Sequence, residues 1–118
     1  MKKVMFVIVA LILMVGLMGV EKDYIDLSID KLLDLAKKGD IEAQYQAGIR
    51  YVSGKGVTHD YEEGMKWLRM SADRGYVTAQ YVIGMSYALG EFVKQDFREA
   101  AIWLRKAADQ TMLPHNTY

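Results

Sequence analysis

From Ile29 onward, apolar residues recur every three or four positions, the spacing of helices that bury one side. Ile29, Leu32, Leu33 and Ala36 form the first such stripe. Ile41, Tyr45, Gly48 and Val52 form the second, and Tyr61, Met65, Leu68 and Ala72 the third. The segment Ser53-Gly54-Lys55-Gly56-Val57 breaks the pattern between the second and third stripes, since glycine tolerates a positive φ that ends a helix. Asp60 with Glu63 makes a capping-box-like start for the third helix, and Gly75 stands at its end, where glycine is a preferred stop. The predicted elements are a leading helix within residues 24–39, helices over Ile41–Ser53 and from Asp60, and their counterparts over Val77–Leu89 and Asp96–Asp109.

The counterparts are literal. At an offset of 36 residues, Ala43, Gln44 and Tyr45 return as Ala79, Gln80 and Tyr81. Gly48, Tyr51, Gly54, Val57 and Asp60 return as Gly84, Tyr87, Gly90, Val93 and Asp96. Glu63, Trp67, Leu68, Arg69, Ala72 and Asp73 return as Glu99, Trp103, Leu104, Arg105, Ala108 and Asp109, which brings the identities to 14. A fixed period in this range marks stacked repeats. Ala36 and Gly39 lie 36 residues before Ala72 and Gly75, so a half unit (24–39) precedes repeat one (40–75) and repeat two (76–111), and 112–118 form a tail. The expected fold is all-α: a short α/α solenoid of about two and a half helix-turn-helix repeats. Glycine inside a helix costs up to about 1 kcal/mol against alanine, so its return at Gly48 and Gly84 predicts close helix contact.

The motif Ala-Gln-Tyr-x-x-Gly-x-x-Tyr, followed by Gly-x-Gly-Val, Asp-Tyr and Trp-Leu-x-x-x-Ala, resembles the Sel-1-like repeat, a relative of the tetratricopeptide repeat. The resemblance covers roughly residues 24–111. It implies a right-handed superhelix that offers a groove to a protein ligand, and an adaptor role, often in exported bacterial proteins. Ala47 stands where leucine is usual, Gly64 where alanine is usual, and Phe92 in place of the second loop glycine.

The first 20 residues are of another kind. Lys2 and Lys3 precede an unbroken apolar run from Val4 to Val20, closed by Glu21, Lys22 and Asp23. A basic start before an apolar core is the pattern of a secretory signal, and the run is also long enough for a short membrane anchor. Gly16 and Gly19 suit a peptidase, but Met14 and Leu17 do not. Both readings stand, and in both the two lysines stay inside while the repeats cross. The expected location is periplasmic or secreted after cleavage, and otherwise anchored in the inner membrane with the repeats outside the cytoplasm. The membrane is expected to be met only through this segment. With no cysteine, anchoring by a lipidated cysteine and a disulfide framework are both excluded.

Residues 21–118 hold 13 Lys and Arg against 15 Asp and Glu, a formal −2, which gives no electrostatic reason to expect nucleic acid. Candidate chemistry is sparse. His59 and His115 have no cysteine nucleophile and no zinc-binding His-Glu-x-x-His around them. Gly54-Lys55-Gly56 is shorter than a phosphate-binding loop and follows a helix. Asp23, Asp26, Asp30 and Asp34 share one helix face, which spreads carboxylates apart instead of converging them on a cation. Neither catalysis nor a cofactor or metal is expected.

What remains is protein binding. Gln46, Arg50 and Ser53 share one face of the first helix of repeat one, and Val82, Ser86 and Leu89 take the same places in repeat two. Repeat proteins hold their cores alike and bind through a concave face, so these six are the candidate partner contacts. Trp67 and Trp103 are expected to pack, with Trp67→Ala more damaging than a change at Arg50, read as surface. A cell-envelope interaction module is the leading expectation. An immunity-type inhibitor that blocks a secreted toxin is the alternative, and an envelope hydrolase the remote one. Phe97, Ala101, Leu104 and Ala108 lie on one side of the last helix, Ala100, Trp103 and Ala107 beside them. Open apolar surface is expected there, as a place for self-association or partner docking.

Overall fold

Side-chain caps fix where most of the helices begin. Ser28 accepts from the Lys31 amide at 3.3 Å and Asp40 from the Ala43 amide at 2.9 Å. Asp60 accepts from the Glu63 amide at 3.0 Å, and Asp96 from the Arg98 and Glu99 amides at 3.0 and 3.1 Å. Each cap satisfies a donor that the helix itself leaves open, worth about 1 kcal/mol. The computed structural model describes Tyr24 and residues 26–112, and within them it holds five helices and no strand. These are α1 (Ile29–Lys37), α2 (Ile41–Ser53), α3 (Tyr61–Asp73), α4 (Val77–Leu89) and α5 (Phe97–Met112). The apolar run Val4–Val20 and the residues Asp23 and His115 lie outside the described part. No helix among the described residues is long and apolar enough to cross a membrane.

Asp60 caps as expected, but the reciprocal half of the capping box is replaced. The Asp60 amide donates to the Tyr51 carbonyl at 3.0 Å, and Glu63 turns outward to Lys66 at 3.5 Å. The Asp96 amide repeats the bond, to Tyr87 at 2.9 Å. In each unit, then, the loop is tied back to the helix before it.

Packing follows the chain. α2 lies on α3 and α4 on α5 within the units, while α1 on α2 and α3 on α4 join one unit to the next. One core motif occurs twice. Leu32, Ala36, Ala43, Ala47 and Trp67 pack together, and 36 residues later Leu68, Ala72, Ala79, Ile83 and Trp103 do the same inside the larger cluster. Trp67 and Trp103 are both buried, so they pack, as their register implies. Ala47 stands in repeat one where repeat two has Ile83, and both are buried.

The glycines at the helix contact are more exacting than the sequence suggests. A Cβ on Gly48 would stand 2.9 Å from the Gly64 carbonyl oxygen and 2.7 Å from Leu68 Cγ. A Cβ on Gly64 would stand 2.9 Å from the Gly48 carbonyl oxygen and 2.5 Å from Val52 Cγ1. The two glycines face each other, so α2 and α3 touch backbone to backbone. In the second unit Gly84 meets the Leu104 side chain instead, and Ala100 takes the place of Gly64.

The loops share one shape despite Phe92. Gly56 has φ +74° and Phe92 φ +70°. A non-glycine residue in that left-handed region pays roughly 1–2 kcal/mol. The Phe92 ring offsets part of this by packing on Tyr61 of the preceding unit, 5.0 Å between centroids.

Candidate protein-binding surface

The six residues put forward as partner contacts divide sharply. Gln46, Arg50, Val82 and Ser86 are buried, Leu89 is half-buried against the core, and Ser53 is exposed. As open contacts the first four are corrected, and the cause is internal packing. Val82 belongs to the main core cluster. Ser86 Oγ turns back to the Val82 carbonyl at 2.8 Å, as Ser53 Oγ does to Ile49 at 2.7 Å.

Arg50 departs furthest from its expected place. Only 7% exposed, its guanidinium donates to the Leu27 carbonyl at 2.7 Å and to the Tyr24 carbonyl at 3.3 Å. Burial pushes it below the ordinary arginine pKa. Tyr24 also donates its hydroxyl to Asp40 at 2.8 Å. Tyr24 and Leu27, ahead of α1, are thereby tied to the face of α2 that carries Arg50, where a partner was expected. Arg50→Met should lower stability by about 1–2 kcal/mol, since it leaves carbonyls short of a charged donor. Denaturant melts measure the loss, and faster amide exchange at residues 26–28 locates it.

The other candidate groups take structural places. His59 is exposed, with Nε2 against the Val52 carbonyl and its ring edge on Tyr61, 4.6 Å between centroids. Burial and the nearby Glu91 charge raise the pKa of the Tyr61 phenol. Asp26, Asp30 and Asp34 are exposed, and Asp34 pairs with Lys38 at 3.1 Å. No three His, Cys, Asp or Glu among the described residues are grouped to hold a metal ion.

Exposed apolar surface collects at the far end of repeat two. Tyr81 is 43% exposed where its counterpart Tyr45 is 2% exposed, and Phe97 reaches 69%. Ala101 and Ala108 are exposed and Leu104 half-buried, whereas Met65, Ala72 and Leu68 at the same register are buried. Ala100, Trp103 and Ala107 face inward.

A model of the Sel1 repeat matches residues 41–76 and 77–112. The chain belongs to the Sel1 repeat family. Among solved structures it is similar to a protective antigen of uropathogenic Escherichia coli strains that displays an SLR fold. The two are 39% identical with a TM-score of 0.70, over 72% of this chain and 18% of that one. It is also similar to a Sel1 repeat protein from Oxalobacter formigenes, at 33% identity and TM-score 0.66, over 70% of this chain and 63% of that one. The chain thus spans less than two thirds of the length of either relative. No curated protein matches it.

Within the Sel1 units, one role went unread in the sequence. Gln44 Nε2 donates to the Ala36 carbonyl at 3.1 Å, and Gln80 Nε2 to the Ala72 carbonyl at 3.1 Å. Each buried glutamine closes the end of the second-type helix before it. Arg74 reaches the Gly39 carbonyl at 3.2 Å and Gln110 the Gly75 carbonyl at 2.8 Å, again one register apart. The signal was present: a polar residue held twice between Ala and Tyr at a buried spacing.

Proposed function

We propose that this chain is a non-catalytic protein-binding module of the bacterial cell envelope. Sel1 repeats generally mediate protein–protein binding. The observation that carries the reading is the contrast between units: the face of repeat one that repeat two covers has its counterpart in the open at Tyr81, Phe97, Ala101 and Ala108. Apolar surface gathered in one place marks association sites. The polar residues of the repeat register support the non-catalytic part, because they serve as caps and inter-unit bonds. The envelope part rests on Lys2, Lys3 and the apolar run Val4–Val20.

Residues 1–20 fused to a reporter active only outside the cytoplasm should give activity, and Leu13→Arg should remove it by placing a charge in the apolar run. Mass spectrometry of the native protein then separates a cleaved signal, with a new N-terminus near Val20, from an anchor with Met1 intact. An inactive wild-type fusion would remove the envelope from the proposal. For binding, the tagged full chain should retain a partner from envelope extracts in fixed stoichiometry. Failure to retain one from envelope or cytosolic extracts would count against the module.

A further inference from the structure

Resting on the protein-binding reading, we propose that the open face of α4 and α5 docks one amphipathic helix of a partner protein, built on the pattern of α2 and α4. The repeat itself specifies the occupant. One register earlier, the face made by Tyr45, Met65, Leu68 and Ala72 is covered by α4 and the residues flanking it. Ala79 and Ile83 fill its centre, and Tyr76 sets its ring 5.0 Å from that of Tyr45. Gln80 reaches the Ala72 carbonyl at 3.1 Å, and Tyr87 receives Arg69 Nη2 on its hydroxyl at 2.5 Å.

Moved on by one unit, the same surface consists of Tyr81, Ala101, Leu104 and Ala108, with exposed Arg105 in the place of Arg69. The fitting helix therefore carries a small residue followed by glutamine, and a tyrosine seven positions after that glutamine, as both α2 and α4 do. The docking surface continues the joint between units. Thr111 Oγ1 already donates to the Ala108 carbonyl at 2.9 Å. A carbonyl oxygen has a second lone pair, and Ala72 likewise accepts from the Gly75 amide as well as from Gln80.

A second copy of the described chain does not supply this helix. The matching side of α2 is covered by Leu32 and Ala36, and that of α4 by Leu68 and Ala72. Each first-type helix is already seated, so a copy would have to unfold to offer one. A helix of another protein meets no such obstacle.

The probe is a labelled peptide of the α4 sequence Val77–Leu89, with lysines added at both ends for solubility, titrated into the full chain and followed by anisotropy. Saturable one-to-one binding is expected. Ala101→Glu should weaken it at least 10-fold, and Gln80→Ala with Tyr87→Phe in the peptide at least 3-fold. Ala101 is exposed, so its substitution leaves the core intact, which circular dichroism checks. The chain has no cysteine, so Ala101→Cys gives a single labelling site. Fast labelling of the free chain, slowed at least 10-fold by the peptide, is the expected result. Absence of saturable binding, or equal binding to Ala101→Glu, overturns the proposal. Slow labelling without peptide overturns it by giving the face to the chain's own residues. A sedimenting dimer that Ala101→Glu dissolves overturns it in favour of self-association. If an envelope partner is retained equally by wild type and Ala101→Glu, the module stands and this docking face falls.

Discussion

Trp67→Ala should remove a large share of the stability of the domain. Trp67 fills the space between α1 and α2 against Leu32, Ala36, Ala43 and Ala47, three of them alanines with little side chain to move into a void. Truncating a buried aromatic costs about 3–5 kcal/mol, partly from transfer and partly from the cavity. A domain of this size has about 5–13 kcal/mol in total. Denaturant midpoints should therefore fall far more than for Arg50→Met, even though Arg50 is buried. Equal midpoints would remove Trp67 from the core. The loss should also free α1 first, because the indole is the largest group joining α1 to the first unit, and exchange at Leu32 and Ala36 reports it.

Gly48→Ala should also destabilise the domain, by about 1–3 kcal/mol and toward the upper end. Helix propensity alone favours the change by up to about 1 kcal/mol, so the sign separates the two effects. Two of the atoms in the way are backbone, the Gly64 carbonyl oxygen at 2.9 Å and the Leu68 amide nitrogen at 3.0 Å. They give way only if α2 and α3 separate. At Gly84 the nearest obstacles are Leu104 side-chain atoms at 2.7 Å, and the first backbone atom comes at 3.2 Å. Gly84→Ala should cost less. A stabilised Gly48→Ala variant would show that the helices are free to part.

Local rules made the helices legible. The apolar period, the loop glycines and the repeat placed α2 and α4 at Ile41–Ser53 and Val77–Leu89, where they are found. Core membership was legible for the same reason, since Trp67 keeps its register in Trp103 and both are buried. The binding face was far less so. Arg50 and Gln46 look like surface because they are polar and vary between units, yet Arg50 is claimed by carbonyls 23 and 26 residues away. Nothing periodic signals such a contact. Tyr45 and Tyr81 make the converse point: the same residue at the same register is buried or open according to whether another unit covers it. Register says where a side chain points, and the neighbour decides what it meets. Phe92 in a glycine's place signals altered loop geometry, but the tie from the next helix start holds the loop in the same form.

The bonds from Gln44 to Ala36, Arg74 to Gly39, Gln80 to Ala72 and Gln110 to Gly75 all have a side chain as donor and an earlier backbone carbonyl as acceptor. Every helix end offers such a carbonyl whatever its sequence, so for these four bonds the specifying side chain lies in the later module. That makes the modules interchangeable parts. A second copy of residues 40–75 spliced in after Gly75 would find the acceptors it needs already in place and would hand the same acceptors on to Gln80 and Gln110. The chain would grow by one repeat of its solenoid, and these kinds of bond would require no new residue at the seam.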